Sequence, residues 1–85
     1  MQGHPVADGE FADDPFRPGS YGRVEVLGEW EWRGCTPNGH ASNLAGHDVT
    51  EHEDGTITVS PSILVSDHTG ELWHGYLRAG VWESC

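Results

Sequence analysis

Residues 47–66, HDVTEHEDGTITVSPSILVS, are the clearest indication of the fold class of this 85-residue chain. Its Asp54-Gly55 pair predicts a turn, because glycine readily adopts the positive φ that tight hairpins need. After the turn, apolar and polar residues alternate with a period of two, which is typical of a half-buried strand. The predicted buried face consists of Ile57, Val59, Ile63 and Val65. Pro61 cannot donate a ladder hydrogen bond, so this strand should lie at an edge or bend there.

Strands are also predicted on both sides of this hairpin. RVEVLGEWEWR, residues 23–33, alternates in the same way and predicts one half-buried strand. Its predicted apolar face consists of Val24, Val26, Trp30 and Trp32. DHTG (67–70) predicts a turn, and residues 71–84 predict two short strands joined at Ala79-Gly80. The sequence therefore predicts a mostly β protein, a small antiparallel meander or open sheet of about five strands.

The first 22 residues, MQGHPVADGEFADDPFRPGSYG, differ in character from the rest of the chain. They contain three of the five prolines and four of the twelve glycines, without any periodicity. Such a composition is typical of extended or disordered chain. Phe11, Phe16 and Tyr21 are spaced along it as anchors that could dock on another protein. We therefore predict an N-terminal arm over residues 1–22 and a small β domain over residues 23–85.

The charge of the chain restricts its partners. Fourteen carboxylates oppose four arginines, for a net charge of −10. This charge repels phosphate, so we expect neither nucleic-acid nor anionic-membrane binding. The acidic surface would keep a small domain soluble, or it would complement a basic protein. No run of about 18 apolar residues and no signal-peptide pattern is present, so we expect a protein that is kept in a cytoplasm.

A metal site is the first chemical hypothesis. Cys35 and His40 flank a Pro-Asn-Gly turn, and His74 could join them, with Glu71 or Cys85 as the fourth ligand. Zinc prefers four such nitrogen, sulfur or oxygen ligands in a tetrahedral arrangement. The alternative is that these are polar loop residues, because six histidines in so short a chain produce such spacings by accident. The expectation is therefore no cofactor, with a structural zinc as the alternative.

Enzymatic activity is not expected. Cys35 and His40 could form a nucleophile and base, but a chain of this length has little room for a deep pocket around them. The aromatic residues are more informative, because one thin sheet cannot bury all of them and exposed tryptophan is typical of protein-binding surfaces. The predicted partner-binding residues are Phe11, Phe16, Tyr21, Trp30, Trp32 and Trp73.

Three segments carry a resemblance to a known family: GCTPNGH (34–40), EDGTITVSPSIL (53–64) and LWHGYLRAGVW (72–82). In order and spacing they resemble the DUF6527 group of small phage-encoded proteins, whose function is unassigned. Cys35 matches the first cysteine of that family's cysteine-rich loop, and His74 matches the histidine of its CxxH motif. Pro37 and Glu71 stand where two further cysteines would be. The resemblance implies a bacteriophage origin, and a metal held by those thiolates would have lost two ligands here.

These observations lead to a functional expectation. We expect a non-enzymatic bacteriophage accessory protein that acts by protein–protein contact, found in the virion or the host cytoplasm. A virion component, such as a minor capsid, decoration or connector protein, would dock on capsid subunits through the aromatic-rich sheet and the N-terminal arm. The alternative is an intracellular phage protein that binds and modulates a phage factor or a basic host protein. Self-association into a homo-oligomer is compatible with both.

Overall fold

The computed structural model describes residues 1–85 and contains eight strands and one short 3-10 helix, Glu10–Asp13. The first four strands are β1 (His4–Pro5), β2 (Ser20–Val26), β3 (Glu29–Cys35) and β4 (Ala41–Asn43). The last four are β5 (Asp48–Glu51), β6 (Ile57–Asp67), β7 (Gly70–Arg78) and β8 (Val81–Ser84). The predicted mostly β class is confirmed, but there are eight strands instead of about five. No helix has the length and apolarity needed to cross a bilayer.

The strands form two sheets of four, ordered β1-β2-β3-β4 and β5-β6-β7-β8. All neighbouring strands are antiparallel except β1 and β2, which pair in parallel. The first residues of the chain link the sheets. Gln2 pairs with Val81, the first residue of β8, while His4 and Pro5 pair with β2. The N-terminal segment therefore joins the two sheets, because its backbone pairs with β2 of the first sheet and with β8 of the second.

The segment predicted as an arm differs most from its prediction. Residues 20–22 belong to β2, and the amide of Val6 donates to the carbonyl oxygen of Tyr21 at 2.9 Å. Phe11 is only 4% exposed, and Tyr21 only 1%. Backbone hydrogen bonds and two buried rings hold this segment, and neither produces an alternating pattern in the sequence. Residues 1–22 are thus packed into the domain, and the predicted boundary at residue 22 cuts through a strand.

The stretch predicted as one strand over residues 23–33 is a hairpin. Leu27 and Gly28 both have positive φ, 51° and 84°, which is the signature of a two-residue type I′ turn. The turn folds β3 back on β2, so Glu25 lies directly opposite Trp30. Val24 therefore does not share a face with Trp30, as the single-strand prediction required. Leucine is an uncommon residue at positive φ, which is why the turn was not recognised.

The later turns lie where the sequence predicts them. Residues 52–56 join β5 to β6, with Gly55 at φ 86°, and two-residue turns at 68–69 and 79–80 complete the meander. Pro61 lies in β6, which is a central strand and not an edge. The register between β6 and β7 shifts between Val59 and Ile63, so the strand bulges at the proline.

The core lies between the two sheets. Its buried residues are Tyr21, Leu44, Ile57, Val59, Ile63, Trp73, Leu77 and Trp82. Trp73 and Trp82 meet edge to face, with ring centroids 5.5 Å apart. The indole Nε1 of Trp82 donates to the carbonyl oxygen of Gly19 at 2.9 Å, so the buried polar atom is satisfied. A Cβ at Gly34 would lie 3.0 Å from the Trp82 ring, so glycine lets the first sheet approach this ring closely.

Candidate functional site

The predicted metal ligands are not assembled. Cys35 ends β3 in one sheet, while His74 lies in β7 of the other. His40 follows the turn after Cys35, where its backbone amide donates to the Thr36 hydroxyl at 3.0 Å. The structure contains no group of three or more histidine, cysteine, aspartate or glutamate side chains that could hold a metal ion. The structure thus does not bring Cys35, His40 and His74 together as one cluster, and metal binding itself stays a prediction.

Cys35 has the environment of a core residue. It has no exposed surface, and its Sγ donates to the carbonyl oxygen of Thr36 at 3.6 Å. Burial raises the pKa of the Cys35 thiol, and the charge of Asp14 raises it further. A thiolate is the form that binds metal or attacks a substrate, so this environment works against both roles. Cys35 and Cys85 are both free thiols.

His74 instead belongs to a polar cluster on the outer face of the second sheet. Its Nε2 lies 3.0 Å from the Ser62 hydroxyl, and its Nδ1 lies 4.0 Å from Oε1 of Glu71. The backbone amide of Cys85 donates to the His74 carbonyl, which places Cys85 opposite His74 beside β8. Of the predicted ligands, Glu71 and Cys85 are thus the ones near His74. The sequence did not indicate Ser62, because the pair depends on the register of β6 against β7.

The Ser62–His74 pair has the contact of a nucleophile with its base. The Glu71 oxygen is too distant for a hydrogen bond that would orient the imidazole. The pair lies in the second sheet, whereas a groove of about 500 Å³ lies on the first sheet. The geometry therefore brings together two of the groups used in acyl transfer, without the third group that would orient the imidazole.

The six predicted partner-binding aromatics separate into two groups. Phe11, Tyr21 and Trp73 are buried, at 4%, 1% and 9% exposure, so in this structure they present almost no surface to a partner. Tyr21 and Trp73 pack between the two sheets, which provide more interior than the single open sheet that was predicted. Phe11 lies outside that core, in the short helix packed against β2. Phe16 and Trp30 are exposed, at 66% and 48%, and Trp32 is half-buried.

The β2–β3 hairpin, residues 20–35, carries exposed aromatic side chains that are held in position by other side chains. Arg23 lies opposite Trp32, and its guanidinium carbon is 5.8 Å and 5.5 Å from the ring centroids of Trp30 and Trp32. Asp8 accepts two hydrogen bonds from the same guanidinium, at 2.9 and 2.6 Å. The two indoles are therefore held in place by a cation that is itself fixed by the N-terminal segment.

The tip of this hairpin is apolar. Leu27 is 100% exposed, and Val26 beside it is half-buried. The type I′ turn matches the twist of the strands, so it presents Leu27 on a defined backbone. Glu25 and Glu29 flank the tip and are exposed. The hairpin therefore exposes a leucine and a tryptophan that are flanked by glutamates.

A second surface feature is an open groove of about 500 Å³ on the first sheet, on the face away from the core. The segment from Phe11 to Pro15 forms one wall, and β4 forms the other. Its lining residues are Phe11, Ala12, Pro15, Val24, Glu25, Arg33, Ala41, Ser42 and Asn43. The Arg33 Nη1 atom binds Oε1 of Glu31 and Oδ1 of Asn43, each at 2.9 Å. The groove is thus mostly apolar around a guanidinium that is already neutralised.

Comparisons of this chain with protein families, curated proteins and solved structures find no match. The resemblance to the DUF6527 group, and the phage origin that it implies, stay predictions. The site must therefore be interpreted from its own chemistry.

Proposed function

We propose that this chain is a non-enzymatic protein-binding module, an accessory protein of a bacteriophage, which docks on its partner through the β2–β3 hairpin. The proposal rests on Leu27, which is fully exposed at the tip of a two-residue turn. An exposed leucine alone is common on protein surfaces. Here it lies on a rigid turn in the same hairpin as Trp30, and large aromatic residues dominate the binding energy of protein interfaces.

The preorganisation of Trp30 also supports the hairpin as the docking surface. Trp30 is 48% exposed and yet rests against Arg23, which Asp8 holds with two hydrogen bonds. A ring already held in position loses less conformational freedom when a partner covers it. The hairpin therefore supplies aromatic area at a low entropic cost, as hot-spot residues do.

The phage role rests on the resemblance of the three quoted segments. A virion component would use the hairpin to bind capsid or other virion subunits. The intracellular alternative, a modulator of a basic host protein or of a phage factor, is supported by the net charge of −10, which complements a basic surface. In both roles the N-terminal segment supports the docking surface because Asp8 binds Arg23. It does not act as a flexible arm.

The test is a co-sedimentation experiment in the phage that encodes this chain. We would replace the gene with Leu27→Asp and with Trp30→Ala, purify particles, and quantify the protein by mass spectrometry. Leu64→Asp is the matched control, because Leu64 is an exposed leucine, at 57%, on the second sheet. We expect wild type and Leu64→Asp in the particles, with at least a tenfold loss for the two hairpin variants.

The outcomes separate the two roles. Wild-type protein that is absent from particles but recovered in an intracellular complex would replace the virion role with the alternative. Hairpin variants that enter particles or the complex at wild-type levels would overturn the docking surface. Thermal denaturation of each variant shows whether a loss of binding comes from a loss of folding.

A further inference from the structure

The turn at residues 36–39 follows β3, at the end of that strand opposite the hairpin tip. The Gly39 amide donates to the Thr36 carbonyl oxygen at 2.9 Å, which closes the turn. Pro37 takes its second position, where the fixed φ of proline is favourable. Gly39 has a positive φ of 88° and Asn38 does not, so the turn is of type I and not type II.

The side chain of Asn38 fastens this turn to the second sheet. Its Nδ2 donates to the carbonyl oxygen of Leu72, in β7, at 3.0 Å. Its Oδ1 accepts from the Thr36 hydroxyl at 2.6 Å, and that hydroxyl in turn accepts from the His40 amide at 3.0 Å. Asn38 is nevertheless exposed to solvent. One surface amide group therefore bridges the two sheets, and both of its polar atoms are used.

Asparagine followed by glycine is a chemically labile pair, because glycine has no side chain to hinder its own backbone nitrogen. That nitrogen of Gly39 can attack Cγ of Asn38. The Nδ2 group leaves as ammonia, carrying the proton of the Gly39 amide, and a five-membered succinimide forms. Water then opens either carbonyl of the ring, which gives aspartate or isoaspartate. The reaction consumes one water and releases one ammonia, without any other reactant.

The folded turn opposes the first step of this reaction. The Gly39 amide proton is engaged by the Thr36 carbonyl, and the Asn38 amide group is held at both ends. For the Gly39 nitrogen to reach Cγ, the side chain must rotate away from Leu72 and Thr36. The reaction therefore requires a local opening in which the turn separates from the second sheet.

The product cannot restore the bridge. A carboxylate at position 38 has no hydrogen to donate to the Leu72 carbonyl, so two oxygen atoms would face each other. The new negative charge also lies close in the fold to Glu71, the neighbour of Leu72 in β7. Isoaspartate lengthens the backbone within the turn as well. Each opening that leads to reaction thus leaves a permanent change at this end of the sheets.

We propose that Asn38 is a modification site that deamidates only when the two sheets separate at this turn, and whose product keeps them apart there. This inference goes beyond the proposed function, because the hairpin takes no part in it. The bridge is the switch element: it protects the asparagine while it is intact, and it is lost once the asparagine has reacted.

The first test compares the whole protein, folded and unfolded in urea, in mildly alkaline buffer. Peptide mass spectrometry measures the conversion of amide to acid, and chromatography separates aspartate from isoaspartate. We expect Asn38 to react at least about tenfold more slowly in the folded protein, because two or more hydrogen bonds must break first. Asn43 is the internal reference, since the leucine that follows it hinders the attack in both states.

A variant tests the bridge itself. Thr36→Val removes the hydroxyl that holds Oδ1 of Asn38, and it should accelerate deamidation of the folded protein by about two- to tenfold, the effect of one hydrogen bond. Ser42→Ala is the matched control, because it removes a hydroxyl that bonds the Gly34 carbonyl within the first sheet. Its rate should equal that of wild type.

The product is tested by Asn38→Asp, which should raise hydrogen exchange at the Thr36 and Gly39 amides by about two- to tenfold, as loss of one bridging bond predicts. Asn43→Asp is the matched control. It adds the same charge, but the side-chain oxygen of Asn43 accepts both of its bonds, and a carboxylate retains them. Exchange at the two amides should stay at the wild-type rate.

Three results would overturn the proposal. They are equal deamidation of Asn38 in the folded and unfolded protein, no reaction at Asn38 even in urea, and wild-type exchange in Asn38→Asp. The first two use the unaltered protein and do not depend on a variant folding. Deamidation of Thr36→Val at the wild-type rate would remove the Thr36 hydroxyl from the protection and would overturn the bridge as its source.

Discussion

Asp8 and Arg23 form a two-pronged ion pair, with Oδ1 at 2.9 Å from Nε and Oδ2 at 2.6 Å from Nη2. The hydrogen bond and the negative charge of Asp8 raise the pKa of Arg23. Fork-to-fork geometry fixes the plane of the guanidinium as well as its position. The N-terminal segment thereby orients the cation that packs on Trp30 and Trp32, and it contributes to the hairpin surface without covering it.

Replacing Asp8 should loosen this surface. In Asp8→Ala, Arg23 keeps its charge and loses its fixed orientation, so Trp30 should become more mobile and more exposed to water. We expect a red shift of tryptophan emission, faster acrylamide quenching and only a small fall in melting temperature, because the pair is exposed. Asp13→Ala is the control, since Asp13 has no side-chain partner. Identical quenching of the two variants would contradict the role of Asp8.

Deleting residues 1–6 should destabilise the whole domain. The deletion removes at least five hydrogen bonds that join this segment to the rest of the domain, four between backbone amides and carbonyls and one from the N-terminal ammonium to the Trp82 carbonyl. At about 1 kcal/mol each, we expect a loss of about 5 kcal/mol. Urea denaturation measures it. The predicted division into an arm over residues 1–22 and a β domain over residues 23–85 implies the opposite, a β domain that folds without the first residues. An unchanged urea midpoint for the truncated chain would favour that earlier prediction.

Gly55 should tolerate asparagine better than valine. Its φ is 86°, and nothing lies within 4 Å of a Cβ at this position, so substitution meets backbone strain but no steric clash. A β-branched residue should cost about 1–2 kcal/mol there, while asparagine adopts the left-handed region more easily. Thermal denaturation of Gly55→Val and Gly55→Asn compares the two. Equal melting temperatures would show that the turn does not require the positive φ.

Two turns should make the free energy of unfolding depend on pH in the acidic range. Asp54 and Asp67 each accept bonds from the amide and hydroxyl of the threonine two residues later, which lowers the pKa of both carboxyl groups. Because the folded pKa lies below the unfolded value of about 3.9, their contribution is complete above that value and is lost as pH falls through the folded pKa. We expect the free energy of unfolding to fall below about pH 4.

The corresponding variant is Asp54→Asn with Asp67→Asn, which keeps an acceptor oxygen and removes the titration. It should reduce the slope of unfolding free energy against pH in urea titrations below about pH 4. Glu53→Gln with Ser66→Ala leaves both aspartate–threonine contacts intact and serves as a control. A slope that is the same in wild type and the double asparagine variant would assign the acid sensitivity to other carboxylates.

The two cysteines should differ in reactivity. Cys35 has no exposed surface and a raised pKa, whereas Cys85 is exposed. A maleimide at neutral pH should therefore label Cys85 at once and Cys35 only after unfolding in urea, as read by peptide mass spectrometry. Rapid labelling of Cys35 in the folded protein would mean that β3 opens readily near its end.

Local sequence patterns determine the second sheet and predict it well. The turns at Gly55 and Gly80 and the alternation of β6 follow from residue types that specify backbone shape, and they are visible without any partner strand. The Leu27-Gly28 turn was missed because its first residue seldom adopts positive φ. Strands β1 and β4 were missed because they are two and three residues long, too short for a period to be seen.

The candidate sites show the same contrast between features that local sequence reveals and features that depend on strand pairing. The sequence identified Trp30 as a partner-binding residue, and the structure places it at the surface; binding itself stays a prediction. Cys35, by contrast, was assigned to a metal site because a cysteine near a histidine suggests ligation, although its position at the end of β3 buries it. The groove and the Ser62–His74 contact involve residues far apart in sequence, and only the strand register brings them together.

The pairing of Gln2 with Val81 also bears on how the chain reaches its fold. A ribosome releases β8 long after the N-terminal segment, so the first residues must wait for their partner until nearly all of the chain has emerged. Contacts between such distant positions are slow to form, because a large loop must close before any bond stabilises it. During that interval the aromatic ring of Tyr21 lacks its final cover from the second sheet, so the nascent chain passes through a state that a chaperone can recognise.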